Sequence, residues 1–388
     1  MKKVRLGEIF NLQMGKTPAR EKLSFWGGTN KWISISDIGN SEKYISSTKE
    51  SITDEAVRKS GIKIVPKGTV IMSFKLSIGK VAITSEDMYS NEAIMAFIDK
   101  KICHIDTNYL YYLLGGKDWN LGTNKAVMGL TLNKATLSQI EIEIPPIEKQ
   151  IYVSSVLDKV SDLIALRKQQ LAKLDELVKA RFVEMFGDPE FNTKSWPIQP
   201  LGELCNVGSS KRIYQNELCQ KGIPFWRISD LVSKMDTGVA ESGLFIPEEK
   251  YLELKREGLV PITGDILITS RGTLGRCYII SNKDRFYFQD GMISWLSSYA
   301  ESITPLYLQY LFMMSGFRKQ IDSMQAGSTV AYLSIAMLKK LMIMMPNKDE
   351  QKCFANFVAQ IDKSKFEIKK SLEELNLLKK SLMQEYFG

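Results

Sequence analysis

The sequence predicts an α+β protein with a pseudo-two-fold internal repeat: two mixed α/β globular parts and two long helices packed as an antiparallel coiled coil. The first observation is the stretch from Pro145 to Gly187, which contains neither Gly nor Pro between Glu148 and Phe186. The second is that residues 345–388 repeat this stretch without a gap, pairing Pro145 with Pro346 and Gly187 with Gly388. A duplicated unit that ends in a long helix accounts for both observations.

Each long stretch carries apolar residues alternately three and four positions apart, the a/d pattern of a coiled-coil seam. Forty helical residues span about 60 Å at ~1.5 Å per residue. Polar residues interrupt the seam at Arg167 and Lys365, where they can fix the register of the pair. Phe366 and Phe387, together with Phe182, are apolar extras that we expect to dock a partner. The predicted spacer and partner-binding residues are Leu157, Val160, Ile164, Leu171, Leu174, Val178, Phe182, Val358, Ile361, Ile368, Leu372, Leu375 and Leu382.

The globular parts repeat short motifs in the same order at a changing offset. Leu-Gly-Glu occurs at Leu6 and Leu201, and Ser-Asp-Ile/Leu occurs at Ser36 and Ser229. Insertions therefore fall in the globular parts and not in the helices, which suits helices whose length sets the distance between the globular parts. We expect domains at 1–144 and 188–344, with spacer helices at 145–187 and 345–388.

Local patterns predict the elements of each globular part. Residues 68–84 and 264–281 are predicted hairpins around polar, glycine-containing bends, and 94–98 is a predicted strand. Helices are predicted at 107–114 and at 304–314, the second capped by Thr304 with Pro305 at its first position.

The composition limits the class of protein. The chain has 388 residues, 52 Lys and Arg against 44 Asp and Glu, and five scattered cysteines. Residues 1–144 hold 20 basic against 15 acidic residues, so most of the +8 excess lies in the first globular part. This excess suits a polyanionic partner without requiring one. With no apolar run of ~20 residues and no signal peptide, we expect a cytoplasmic protein with reduced thiols and no membrane span.

Catalytic motifs are not supported by the sequence. Gly15-Lys16-Thr17 resembles the end of a phosphate-binding loop, but Phe10 stands where that loop needs glycine. His104 is the only histidine, which excludes histidine triads and multi-histidine metal sites. The charged run at 247–255 is typical of a solvated helix face. We expect no catalysis by the chain itself, no metal and no cofactor.

The hairpin bends are the candidate DNA contacts. They combine Arg, Lys, Ser and Thr, which commonly donate to phosphate oxygens, with glycines that allow close backbone approach. Ordinary solvated turns remain an alternative, although the recurrence in both halves favours DNA. Two polar loops, 124–131 and 325–332, stand where they could line the same surface. The predicted DNA-binding residues are Lys16, Thr17, Ser73, Lys75, Lys80, Lys125, Thr131, Arg212, Arg227, Ser270, Arg271, Thr273, Arg276, Ser328 and Tyr332.

Taken together, the ordered double set of motifs resembles the specificity subunit of type I restriction-modification systems over the whole chain. The resemblance implies two target recognition domains, each binding one half of a bipartite double-stranded DNA site. It implies that the helices set the spacer and dock two modification (adenine methyltransferase) subunits, with restriction subunits outside them. The methyl donor, ATP and magnesium would then belong to those partners. A coiled-coil adaptor that binds protein without reading DNA sequence is the alternative.

Overall fold

The computed structural model describes residues 2–40, 43–75, 77–119, 132–325 and 331–388. It forms two compact units. The first unit comprises residues 1–168 and 370–388, and the second comprises residues 169–369. Each unit therefore contains parts of both long helices.

The first unit holds three sheets, with strand orders β2-β9-β6-β7-β4, β5-β3-β8 and β1-β10. Its strands are β1 (Lys2–Arg5), β2 (Phe10–Met14), β3 (Trp26–Ile33), β4 (Tyr44–Ile45), β5 (Glu50–Ile52), β6 (Val70–Ser73), β7 (Val81–Thr84), β8 (Tyr89–Ser90), β9 (Ile94–Asp99) and β10 (Glu141–Ile144). Its shorter helices are α1 (Leu6–Ile9), α2 (Ile35–Asn40), α3 (Asp54–Ser60), α4 (Thr107–Gly116) and α5 (Lys134–Gln139), with a 3-10 helix at Leu23–Phe25. The first long helix, α6, spans Ile147–Phe186.

The second unit repeats this plan with strand orders β12-β18-β15-β16, β14-β13-β17 and β11-β19. Its strands are β11 (Ile198–Pro200), β12 (Asn206–Gly208), β13 (Ile223–Trp226), β14 (Phe245–Ile246), β15 (Ile266–Thr269), β16 (Cys277–Ile279), β17 (Tyr287–Phe288), β18 (Ile293–Ser297) and β19 (Met342–Met344). Its helices are α7 (Leu201–Leu204), α8 (Ile228–Thr237), α9 (Glu248–Arg256), α10 (Pro305–Met313), α11 (Ser315–Ser323) and α12 (Ile335–Lys340), with a 3-10 helix at Gln215–Glu217. The second long helix, α13, spans Lys348–Phe387. The repeat predicted from the sequence is confirmed in the order of the sheets, except that the largest sheet of the first unit has an additional edge strand, β4.

Capping and close packing explain the two repeated motifs. The carboxylates of Asp37 and Asp230 each accept a hydrogen bond of 2.8 Å from the backbone N–H three residues earlier, at Ser34 and Arg227. This is the capping geometry that starts a helix after a strand. In Leu-Gly-Glu, a Cβ added to Gly7 would lie 2.7 Å from the Cβ of Ser138, so the helix packs too closely there for any side chain.

A buried glutamine ties the start of each long helix to its globular part. The Gln351 amide donates to the carbonyls of Ser302 (2.8 Å) and Pro346 (3.0 Å), and its oxygen accepts from the Thr304 backbone N–H at 2.9 Å. Gln150 makes the equivalent bonds in the first unit, to His104, Pro145 and Asp106. Both glutamines are 1% exposed. Cys103 and His104 lie in an irregular segment before α4.

In each unit the start of one long helix packs beside the end of the other, which makes the pair antiparallel. In the second unit Phe182 and Phe186 of α6 contact Phe354 of α13 at ring-centroid distances of 5.5 and 5.4 Å. In the first unit Val153 and Leu157 of α6 share a cluster with α13 residues 382, 383, 386 and 387. The coiled-coil prediction is therefore confirmed. No helix within the described ranges is both long and apolar enough to cross a membrane.

The seam residues lie where the heptad pattern places them. Leu157, Val160, Ile164, Val178, Phe182 and Val358 are buried, and Leu171, Leu174, Ile361, Ile368, Leu372, Leu375 and Leu382 are partly buried. Lys365, a polar interruption of the seam, pairs with Asp175 at 2.5 Å. Phe182 needs a correction: it is 0% exposed within the core of the second unit, so it has no free surface to offer a partner, whereas Phe366 is 66% exposed.

Candidate nucleic-acid interface

Several loops of the second unit meet at one end of its sheets, and we call this surface the second recognition face. It comprises residues 209–214, 270–276, 289–292 and 332. The backbone N–H of Ser270 donates to Met292 O at 2.9 Å, and that of Leu333 donates to Ser270 O at 3.0 Å. Gly291 N–H donates to Ser209 Oγ at 3.3 Å. These bonds join segments that are distant in sequence into one continuous surface.

The bend 270–276 is held from inside by the hydroxyl of Thr269. This oxygen donates to Thr273 O and accepts from Arg276 N–H at 3.0 Å, while Gly275 N–H donates to Thr269 O at 2.8 Å. Gly272 and Gly275 have φ values of 69° and 73°, which side-chain-bearing residues rarely adopt. The bend therefore has a fixed shape, and it leaves Arg271 and Thr273 exposed.

The cations of this face differ in how their charge is balanced. Arg271 lies over the ring of Tyr332, with its Cζ 5.3 Å from the ring centroid, and it has no carboxylate partner among the residues described. Arg212 donates through Nε to Asp290 at 2.9 Å. The hydrogen bond from Arg276 holds the pKa of Asp236 below its usual range. Arg227, which lies outside this face between β13 and α8, is exposed beside Asp230, with 3.8 Å between Nε and Oδ2. Arg271 is therefore the cation whose charge is balanced least by carboxylates of the protein.

The first unit builds an equivalent surface, the first recognition face, from residues 15–17, 74–75, 77–80 and 91–93. The Ser73 hydroxyl takes the place of Thr269: it donates to Ser77 O and accepts from Lys80 N–H at 3.2 Å. Phe74 N–H donates to Ala93 O at 3.0 Å, as Ser270 does to Met292. An offset of 196 residues equates Lys75 with Arg271 and Lys80 with Arg276. The two faces thus present basic residues at the same places on the same bend.

Some predicted contacts are not available on these faces. Ser73 and Ser270 are 0% and 1% exposed, and Ser270 Oγ bonds Ser294 Oγ at 2.7 Å. Their hydroxyls brace the bends from inside, which corrects the expectation that they contact DNA. The Lys16 amine donates to Ser60 O, and the Thr17 hydroxyl donates to Glu92, so each is occupied within the protein. Lys125, Thr131 and Ser328 lie outside the described residues.

Two amide side chains on the faces were missed by the sequence analysis. Asn91 N–H donates to Ile33 O at 3.0 Å, and Gln289 N–H donates to Trp226 O at 2.9 Å. The two residues therefore hold equivalent positions, at an offset of 198. The same offset relates the helices that begin at Thr107 and Pro305, so extending it backwards through the chain would have matched the pair. Amide side chains can read the edge of an adenine base.

The described part of the chain offers no set of residues for a metal centre. No group of three or more His, Cys, Asp or Glu side chains there could hold an ion. Two of the five thiols are also poorly suited to metal binding. Burial raises the pKa of Cys205 to about 12 and places the pKa of Cys277 well above its usual range.

Comparison with known proteins defines the class. The family described as "Type I restriction modification DNA specificity domain" matches residues 1–176 and 193–379. The chain therefore belongs to this family, with two copies of the specificity domain, and it is a specificity subunit of the type I restriction-modification class. These subunits are non-catalytic components.

Individual relatives agree with that class. The type I restriction enzyme MjaIX specificity subunit of Methanocaldococcus jannaschii is 32% identical over 271 residues, covering 64% of this chain and 61% of the relative. The MjaVIII specificity subunit of the same organism is 26% identical over 404 residues, covering 98% and 90%. Among solved structures, a chain from work on the assembly and conformational transition of the type I R-M system matches with a TM-score of 0.61 at 16% identity. That match covers 100% of this chain and 97% of the other, and it shows a shared fold.

Proposed function

We propose that the chain binds duplex DNA through its two recognition faces, each contacting one half of a bipartite site. The observation that carries the proposal is the recurrence of one braced bend, with a basic residue at Lys75 and Arg271, at the same end of the sheets in both units. Lysine and arginine are the usual partners of phosphate oxygens, and arginine also reads guanine. A fixed bend holds these side chains in place before DNA arrives, so little ordering is lost on binding.

The two long helices serve as the spacer between the half-sites in this proposal. Each is continuous over forty residues, and their seam leaves other apolar side chains exposed. Leu163, Leu166 and Leu177 on α6 are 44–47% exposed, and Leu377 on α13 is 68% exposed. We assign these surfaces to the docking of two modification subunits, with restriction subunits outside them. In this proposal the target recognition domains are residues 1–144 and 188–344, and the spacer helices are residues 145–187 and 345–388.

The proposal is tested with the chain assembled with its modification subunits, against a library of duplexes that vary two half-sites and the spacer between them. The expected result is enrichment of two short motifs at one fixed separation. We also expect affinity for the enriched duplex to fall steeply as salt rises, because phosphate contacts release counterions. Binding with no sequence preference and no salt dependence would favour a protein-binding adaptor instead.

A further inference from the structure

Each unit contains a cavity directly behind its bend, at equivalent positions of the repeat. The cavity of the first unit has a volume of about 240 Å³ and is lined by residues that include Gly79, Val81 and Tyr111. The cavity of the second unit has a volume of about 430 Å³, and its lining includes the repeat equivalents Gly275, Cys277 and Gln309. The bends that carry Lys75 and Arg271 therefore form the rim of a cavity in both units.

A cation that pairs with no carboxylate of the described residues lines the second cavity. Arg318 reaches it from α11 and donates through Nη2 to Leu274 O at 2.8 Å. Its Nη1 lies 3.7 Å from where a Cβ on Gly275 would be. No acidic group among the described residues forms an ion pair with it, whereas the other two cations of the lining do: Arg276 pairs with Asp236 and Lys234 with Asp284.

The first cavity receives its cation from a different element. Lys379, on α13, lines it without an ion pair to any described carboxylate. An offset of 201 equates Lys379 with Val178, which is 1% exposed in the core of the second unit. An amine thus stands at a position that the repeat fills with a buried apolar side chain.

The surroundings of Lys379 are short of negative charge. The nearby carboxylate, Asp158, already accepts from the Lys43 amine and from the Tyr112 hydroxyl. Burial, followed by the positive charge of Lys168, lowers the pKa of Lys379. A bound anion would compensate both effects.

We propose that the cavity behind each bend binds a phosphate group, with Arg318 and Lys379 as the respective charged donors. The two cations reach equivalent cavities from elements that are not equivalent in the repeat. Duplication of one ancestral residue therefore does not explain them, whereas a shared anionic ligand does. A guanidinium and an ammonium are both good phosphate donors. The phosphate belongs either to the DNA backbone or to a free phosphate compound, and the first source rests on the proposed function.

The test uses the full chain and the variants Arg318→Gln and Lys379→Val, the latter copying the residue at the equivalent position of the second unit. Arg318→Lys is the charge-preserving control, and it also covers the case in which loss of the bond to Leu274 O impairs folding. Inorganic phosphate binding is measured by calorimetry in a chloride buffer. Duplex affinity is measured over a range of salt concentrations.

If the phosphate belongs to the DNA backbone, Arg318→Gln and Lys379→Val each lower the slope of log affinity against log salt by about 0.9, equally for all DNA sequences. Arg318→Lys then keeps the wild-type slope. A free phosphate compound predicts wild-type binding of inorganic phosphate that each variant weakens about tenfold or more, with the salt slope unchanged. If the wild type binds no inorganic phosphate and neither variant changes the slope, the proposal is overturned. If the wild type shows no sequence preference, the proposed function is overturned instead. The calorimetric result on inorganic phosphate binding remains valid in that case.

Discussion

Arg271 and Tyr332 are joined twice. Their backbones form an antiparallel bridge, and the guanidinium lies over the phenol ring at 5.3 Å from its centroid. A cation over an aromatic face at this distance gains about 0.5–1 kcal/mol at an exposed site. The ring also restricts the arginine, which otherwise has many rotamers. The pair therefore presents a charge in a defined direction at the rim of the second recognition face.

Arg271→Ala is expected to weaken DNA binding by about 1–3 kcal/mol if this side chain reads a base, and to relax discrimination in one half-site only. Competition binding with duplexes mutated in either half-site measures this. Lys75→Ala is the matched variant and should affect the opposite half-site. Tyr332→Phe keeps the ring and should bind nearly as well as the wild type. Equal loss of discrimination in both half-sites after Arg271→Ala would contradict the assignment of one face to one half-site.

Gln351→Met is expected to destabilise the second unit by about 1–3 kcal/mol. Methionine has a similar volume but leaves the carbonyls of Ser302 and Pro346 and the N–H of Thr304 without their partner. Chemical denaturation followed by circular dichroism measures the change. Gln169→Met, at an exposed position of α6, serves as the control and should change stability by less than about 0.5 kcal/mol. An unchanged denaturation midpoint for Gln351→Met would mean that the glutamine does not hold the helix start.

Inserting four residues after Arg167 and after Ile368 is expected to change the spacer length that the assembled complex accepts. Four helical residues add about 6 Å, close to two base-pair steps of about 3.4 Å each. Selection of duplexes with variable spacers reads the result directly. The same four residues inserted after Gly243, in an exposed loop, should leave the spacer as it was. If the preferred spacer length is unchanged by the helix insertions, the helices do not set the spacer.

Tyr310→Phe is expected to make the protein less sensitive to alkali. Burial, and then the charges of Asp362 and Asp175, raise the pKa of Tyr310 to about 12. An unfolded tyrosine ionises near pH 10, so the stabilisation is complete below pH 10 and is lost as the pH rises through 12. Removing the hydroxyl should reduce the loss of stability by about 1.4 kcal/mol per pH unit in that window.

Urea denaturation at pH 9, 10 and 11 measures this difference. Tyr214→Phe is the control, because this tyrosine is 62% exposed. Identical pH profiles for Tyr310→Phe and the wild type would show that the hydroxyl does not titrate as inferred.

The elements that the sequence predicted best are those specified by a long or repeated pattern. Forty residues without Gly or Pro, with apolar residues three and four apart, leave little alternative to the two helices. The hairpins at 68–84 and 264–281 were predictable because each has two β-rich runs flanking a glycine bend. Thr304 caps its helix as expected, accepting from Tyr307 N–H at 3.4 Å.

Side-chain direction was much less predictable. Ser270 and Arg271 are neighbours in one polar bend, yet the first is buried against Ser294 and the second is exposed. The difference depends on a hydrogen bond between residues 24 positions apart, which no local pattern encodes. Phe182 was similarly misplaced, because its exposure depends on Tyr307 and Phe354, which are distant in sequence.

The sharing of both long helices by each compact unit has a consequence for the order of events during synthesis. The ring of Tyr109 packs against that of Phe387, at 5.4 Å between centroids, across a sequence separation of 278 residues. Domains generally fold as they emerge, amino-terminal first. Here the first unit includes residues 370–388, so the ribosome has synthesised all of the second unit before the first unit can complete its packing.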